Sequence, residues 1–423
     1  MSREIAAPPA PLLPPPQQKA SGRVVATMTL ARLGLMLSLT APLIAGLALK
    51  VQTLVRPDQA VAVVGVVTTA GAIGALIFDP IFGRISDRTT GRFGRRRPWL
   101  VAGSLGLMLG LLVIALAPNV WVLALGWLFG QIAGNAAVAA HTASLADQLP
   151  TAQRGKVGGL IGIAQQASTV GSAYAGKLLG QDMLLLFLVP GAIGLLLVLA
   201  FVLVLPDRPL PERPAPDGGL RAMLKTFWVS PRRYPDFAFA WVSRFLIVLA
   251  AWMFLTFRLF YLQHELGMSA KEAASVMATG VLIYTVAVIL AGQLAGWVSD
   301  RISRRKVFIG ASAVIFGIGT WMLAHAESVT GFYAAEVVLG VGFGVYVAID
   351  LALVLDVLPN PDEAGKDLGV FNIAMSLPQT LAPGLAAALI SAGAGQNYDL
   401  MLTAAAVIAV VGALAIVPVR SVR

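Results

Sequence analysis

The segment from Asp79 to Pro98, DPIFGRISDRTTGRFGRRRP, returns in shortened form at Gly296 to Lys306 as GWVSDRISRRK, and each copy lies between two long apolar runs. Gly83 maps onto Gly296, Asp87 onto Asp300 and Arg88 onto Arg301, all at an offset of 213 residues. A second pair repeats at 209 to 210: DQLP at Asp147, followed by Gly155, Lys156 and Gly159, and DVLP at Asp356, followed by Gly365, Lys366 and Gly369. A chain that repeats itself at half its length in hydrophobic segments is constrained to two pseudo-symmetric units.

With 57% hydrophobic and 12% charged residues and a mean hydropathy of +0.80, an ordinary soluble surface is excluded. Runs of roughly 20 apolar residues predict membrane spans. Twelve are counted, at 24–48, 60–82, 98–117, 120–144, 157–179, 183–205, 237–262, 272–295, 306–325, 331–354, 368–392 and 399–418. The predicted fold is all-α and integral to the membrane, twelve transmembrane helices in two pseudo-symmetric six-helix bundles. Residues 1–22, rich in Pro, form a disordered cytoplasmic tail; 23–205 form the first bundle, 206–236 a cytoplasmic linker and 237–420 the second bundle.

The net charge of +10 is distributed by topology. Of 31 Lys and Arg, 24 fall on one side of the predicted membrane and four on the other, Lys50, Arg56, Lys177 and Lys271. This asymmetry places both termini in the cytoplasm of a multi-pass cell-membrane protein. A nucleic-acid partner would need basic residues gathered on one folded face, so none is expected. The absence of cysteine excludes disulfides and thiolate metal sites, and without a GxxxxGK[ST] loop direct ATP drive is not expected. No cofactor, metal or enzymatic activity is expected, and the chain is expected to work as a monomer in lipid. Gly340, Gly342 and Gly344, like Gly126, Gly130 and Gly134, read as small residues that let helices approach.

Twelve spans in two halves, with G-x-x-x-D-R-x-x-G-R after span 2 (Gly83, Asp87, Arg88, Gly91, Arg92) and its copy after span 8 (Gly296, Asp300, Arg301), resemble the major facilitator superfamily over residues 23–420. Asp79-Pro80 ahead of the glycine and the RFGRRRP ending are similar to glycoside-pentoside-hexuronide cation symporters and plant-type sucrose carriers. The resemblance implies a secondary transporter working by alternating access, with Asp87 and, more weakly, Asp300 latching the cytoplasmic side. A carboxylate at Asp87 is expected to cap a nearby helix and to pair with Arg92 or Arg95 across the bundle interface. The alternative for Arg95 to Arg97 is that they only anchor topology.

Inside the spans the ionisable residues carry the information, because a charge at mid-bilayer costs about 2.5–3.5 kcal/mol on the insertion scale. Arg32 in span 1 and Arg244 in span 7 are 212 residues apart and pseudo-equivalent. Arginine does not release a proton, so the pair would bind anionic or polyol groups or hold a carboxylate's charge; snorkelling toward headgroups is the alternative. The proton-coupling candidates are Asp350, Asp79 and His141. His141 and Asp350 occupy matching places, each six residues before the Asp of its DxxP motif. Asp350 sits among apolar residues, an environment in which a carboxyl can load and unload a proton, whereas a lone histidine near a helix end is more often solvated. Glu336 and Arg258 lie near span ends and read as interfacial and snorkelling residues. Polar residues available to a solute are Gln131, Asn135, Gln165, Gln166, Tyr284, Asn372 and Gln379, with Trp252 and Phe254 able to stack on a ring.

Two departures from the sugar-symporter pattern matter. Melibiose-type carriers place two carboxylates four apart in span 2; this chain has Asp79 but Ala75, which disfavours sodium against a proton. Span 1 offers Arg32, Ser38 and Thr40 where such carriers have acidic residues. The expected function is proton-coupled symport of a sugar or related polar metabolite. The alternatives are a proton-driven exporter of drugs or amphipathic metabolites, and a non-transporting pigment-handling or assembly factor on the same fold.

Overall fold

The computed structural model describes residues 18–210, 229–302, 305–357, 364–392 and 396–419. Most of the Pro-rich tail and residues 211–228 of the linker lie outside the described residues, as do the side chains of Asp300, Asp356 and Lys366. Among the described residues eleven helices are long and apolar enough to cross a membrane. The remaining long helix, Thr151–Leu179, is span 5, whose Gln165, Gln166, Ser168, Thr169 and Ser172 dilute its hydropathy. The architecture is the expected all-α, twelve-helix membrane fold.

Spans 1 and 7 are both interrupted near their ends. Span 1 runs Gly22–Ala41, widens into a π-helical turn at Pro42–Gly46, and finishes as Leu47–Gln52. Pro42 has no N–H to give the preceding turn, which favours such a widening. Span 7 is Pro235–Leu255, then a break at Thr256 and Phe257, then Arg258–His264. The other spans are Pro57–Asp87, Arg97–Leu116, Val120–Gln148, Met183–Val204, Ala270–Ile302, Arg305–Ala324, Val329–Asp356, Ala364–Ile390 and Tyr398–Ala415, numbered 2, 3, 4, 6 and 8 to 12. The turns leading into spans 4, 6, 10 and 12 stay short because Asn119, Asp182, Ser328 and Asn397 each accept a backbone N–H at the start of the helix.

The glycines act as close-packing residues. A Cβ on Gly340 would lie 2.6 Å from the Tyr284 carbonyl, one on Gly342 2.6 Å from the Phe316 amide, and one on Gly110 2.7 Å from the Cα of Gly130. Span 10 is thereby wedged between spans 8 and 9, and span 3 against span 4. Large apolar side chains such as Trp121, Leu125, Leu203 and Leu290 are exposed, the surface expected against lipid.

Among the described residues the contacts between spans 2 and 11 run from the ends remote from the basic loops to mid-span, where the Thr380 hydroxyl donates to the Ala72 carbonyl at 3.5 Å. At the ends remote from the basic loops, Gln52 donates to Gln263 at 2.7 Å, Gly65 packs on Ala387 of span 11, and Gly384 faces Thr69. One buried apolar cluster runs through both halves there, including Val64, Ala387 and Phe260. Toward the basic loops each half has its own cluster, one around Met28, Leu100 and Phe201, the other around Phe237, Leu353 and Phe371. Gly83 lies 18 residues, five helical turns, beyond Gly65 on the same face of span 2, yet nothing stands within 4 Å of where its Cβ would be; the same is true of Gly296.

Candidate functional site

The second half builds a closed charge cluster. Arg244 Nη1 lies 2.8 Å from Asp350 Oδ2, with both side chains 10% exposed. The Tyr346 hydroxyl donates to Asp350 Oδ1 at 2.9 Å. Tyr346 and Asp350 are four apart on span 10 and therefore share a face. The Arg244 guanidinium also lies 4.8 Å over the Phe371 ring and 3.1 Å from Met375 Sδ. Cation, carboxylate, hydroxyl and ring face one another in a site shielded from water, with the Arg244 Nε, like that of Arg32, left without a hydrogen-bond partner among the described residues.

The first half does not repeat this. Arg32 donates to Thr142 Oγ1 at 3.4 Å and to Gln165 Oε1 at 3.5 Å, both neutral and both long. Its Nε is buried without a hydrogen-bond partner among the described residues. At the place matching Asp350 stands His141, and it turns away: Nε2 lies 2.9 Å from the Met28 carbonyl, and the ring packs 5.7 Å from that of Phe201. His141 is fully buried in the apolar cluster of the first half, not solvated at a helix end. Asp79 is exposed on span 2 and acts electrostatically on Arg32 without forming an ion pair.

The remaining polar residues divide. Asn135 donates to the Gln131 carbonyl at 2.8 Å and to its Oε1 at 3.3 Å, which ties both to their own helix. Asn372 is exposed and Gln379 half-buried on span 11. Tyr284 stacks on Phe343 and lies 5.6 Å from Arg258. Arg258 and Glu336 are neither snorkelling nor interfacial: Arg258 Nε is 3.0 Å from Glu336 Oε1, with side chains 5% and 0% exposed. The break in span 7 brings Arg258 inward, against Phe254.

At the basic end the loop motif forms a network within the first half. Asp87 pairs with Arg96 at 2.5 Å, where Arg92 or Arg95 across the interface was expected. Arg96 Nε reaches Asp147 Oδ2 at 2.8 Å, its Nη1 donates to Ser86 Oγ at 2.6 Å, and Arg95 also binds Asp147. Asp207, from the start of the linker, accepts the backbone N–H groups of Arg96 and Arg97 at 2.7 and 2.8 Å. Gly94 makes the turn with φ +91° and packs on Asp207, so a glycine is needed. Arg92 stacks on Phe93 and Arg301 on Trp297, while Gly91 is exposed and Arg88 half-buried. The side chain of Asp300 lies outside the described residues.

Sequence reasoning named Arg244 and Asp350 but not Tyr346, whose spacing of four from Asp350 was the available signal. It gave Arg96 only as a topology anchor, and passed over Asp207, which carries no motif of its own.

The sequence profile of the Major Facilitator Superfamily matches residues 25–295 and 245–422. Sucrose transport protein SUC4 of Arabidopsis thaliana is 33% identical over 131 residues, 30% of this chain and 23% of that one. The class E tetracycline resistance protein of Escherichia coli is 39% identical over 119 residues, 27% of this chain and 28% of that one. The aligned stretches thus span about a quarter of these relatives. Among solved structures, the nucleoside transporter NupG has a TM-score of 0.73 at 14% identity, over 94% of this chain and 98% of that one. A D-xylose-proton symporter has a TM-score of 0.68 at 16% identity, over 92% and 96%. These two establish likeness of fold.

Proposed function

The chain belongs to the major facilitator superfamily, and on that premise we propose that it is a secondary transporter carrying a small polar solute across the cell membrane by alternating access, in symport with protons. The observation that carries this reading is the contrast along one face of span 2: Gly65 packs against Ala387 of span 11, whereas among the described residues nothing lies within 4 Å of the place of a Cβ on Gly83. In this reading residues 23–205 and 237–420 rock as two bodies, the basic loops and the 206–236 linker are cytoplasmic, and the arrangement is open inward. Asp87, Arg96 and Asp147 set the shape of the inner mouth.

Asp350 is assigned the coupling proton. A neutral Asp350 no longer holds Arg244, so loading the proton dissolves the ion pair and frees a guanidinium, which links protonation to a change in the cavity wall. Sugar or a related polar metabolite is the preferred solute, in keeping with the kinship to a sucrose carrier. Proton-driven export of an amphipathic compound is the second reading, favoured by the kinship to a tetracycline resistance protein. The direction of coupled flux in oriented proteoliposomes separates the two.

The test is Asp350→Asn. It should abolish accumulation driven by a pH gradient while exchange of labelled for unlabelled solute persists. Accumulation retained in Asp350→Asn and lost in Asp79→Asn would move the coupling site into the first half.

A further inference from the structure

Arg32 and Arg244 occupy pseudo-equivalent positions, but only Arg244 has a counter-ion in contact. Two observations describe what Arg32 lacks. Its two terminal nitrogens reach only neutral oxygens, at 3.4 and 3.5 Å, on Thr142 of span 4 and Gln165 of span 5. The residue matching Asp350 is His141, whose ring is committed to the Met28 carbonyl behind the wall. Arg32 is half-buried beside the exposed Thr142, so its guanidinium is within reach of a solute, and its planar fork matches a carboxylate bidentately.

The charges facing this position limit the anion. Asp79 contributes the nearby negative charge, and Arg244 is already neutralised by Asp350 on the other half. A single guanidinium with the Asp79 carboxylate near it opposes a phosphate dianion more strongly than a monoanion. Thr142 and Gln165 add a hydroxyl and an amide able to bond a neighbouring hydroxyl group of the same solute.

Resting on the transport reading, we propose that the solute is a monocarboxylate, its carboxylate received by Arg32 and its hydroxyl groups by Thr142 and Gln165. This deepens the sugar or polar-metabolite reading to an acidic one, such as a sugar acid. It also divides the arginines: Arg32 belongs to the solute and Arg244 to the coupling carboxylate.

Acetate is the minimal probe, since any carboxylate site of this kind admits it. The purified full chain should gain Tm on titration with sodium acetate relative to sodium chloride at equal ionic strength, with saturation. Arg32→Gln should lose the response and Arg32→Lys should weaken it by about tenfold or more. Gln165→Glu, which supplies an internal carboxylate beside Arg32, should raise Tm by itself and abolish the acetate response, and it decides the matter if Arg32→Gln fails to fold. No response in the wild type, or an equal response in Arg32→Gln or Gln165→Glu, overturns the proposal. Counterflow in proteoliposomes separates the two levels of the reading. D-glucose or D-xylose exchange undiminished in Arg32→Gln keeps transport and discards the carboxylate, whereas an Arg32-dependent acetate response without flux of any solute keeps the site and discards transport.

Discussion

Arg244 and Arg32 are the same residue at the same place in two copies of one ancestral pattern, and they sit in opposite states. Around Arg244 the second half supplies Asp350 at 2.8 Å, Tyr346 behind it and the Phe371 ring beneath. Around Arg32 the first half supplies two distant neutral oxygens and a histidine that faces elsewhere. Pseudo-symmetry fixes where a charge enters the membrane but not what answers it. Exchanging one residue, aspartate for histidine, turns a self-contained ion pair into a cation with no counter-ion in contact.

The sharpest way to break this comparison is to unpair the paired site. Asp350→Ala leaves Arg244 buried without its carboxylate and should destabilise by about 3–5 kcal/mol, read as a fall in Tm in detergent. The double variant Arg244→Met with Asp350→Leu should recover most of that loss, because no charge is stranded. A single variant that melts like the wild type would mean that the pair is dispensable.

His141→Ala should come next, at about 1–3 kcal/mol for the lost hydrogen bond to Met28 and the cavity left by the buried ring, with pH-driven accumulation per folded molecule unchanged. Uncoupling in that variant would return His141 to the proton path. Arg32→Gln should have the smallest effect on stability, less than about 1 kcal/mol, since surrounding groups lose only weak bonds. Its transport should nevertheless collapse. A large fall in Tm with transport per folded molecule intact would reverse the roles assigned to the two arginines.

Much of the architecture was legible because membrane helices announce themselves by apolar length. Span 5 was counted among the apolar runs at 157–179, although the whole helix Thr151–Leu179 is not among those apolar enough to qualify on hydropathy. Within the site, the sequence named Arg244 and Asp350 without joining them, because 106 residues and two intervening spans separate the pair. Which of Arg95, Arg96 and Arg97 points at Asp87 depends on the phase with which the chain leaves the left-handed turn at Gly94, and composition carries no such phase. Arg258 and Glu336 were misplaced because each lies close to the end of its apolar run; the break at Thr256 and Phe257 then folds that end inward. The direction of the His141 ring had no signal at all.

Gly83 has a wider consequence. A glycine within a helix costs about 1 kcal/mol against alanine, and at Gly65, on the same face, close contact with span 11 accounts for it. At Gly83 nothing in the present arrangement does. If the halves rock as proposed, its smallness serves the conformer in which the basic ends of spans 2 and 11 come together. Enlarging it would act on how long the molecule dwells in each posture rather than on whether it folds, and a defect of that kind shows in single-molecule dwell times while a melting curve stays silent.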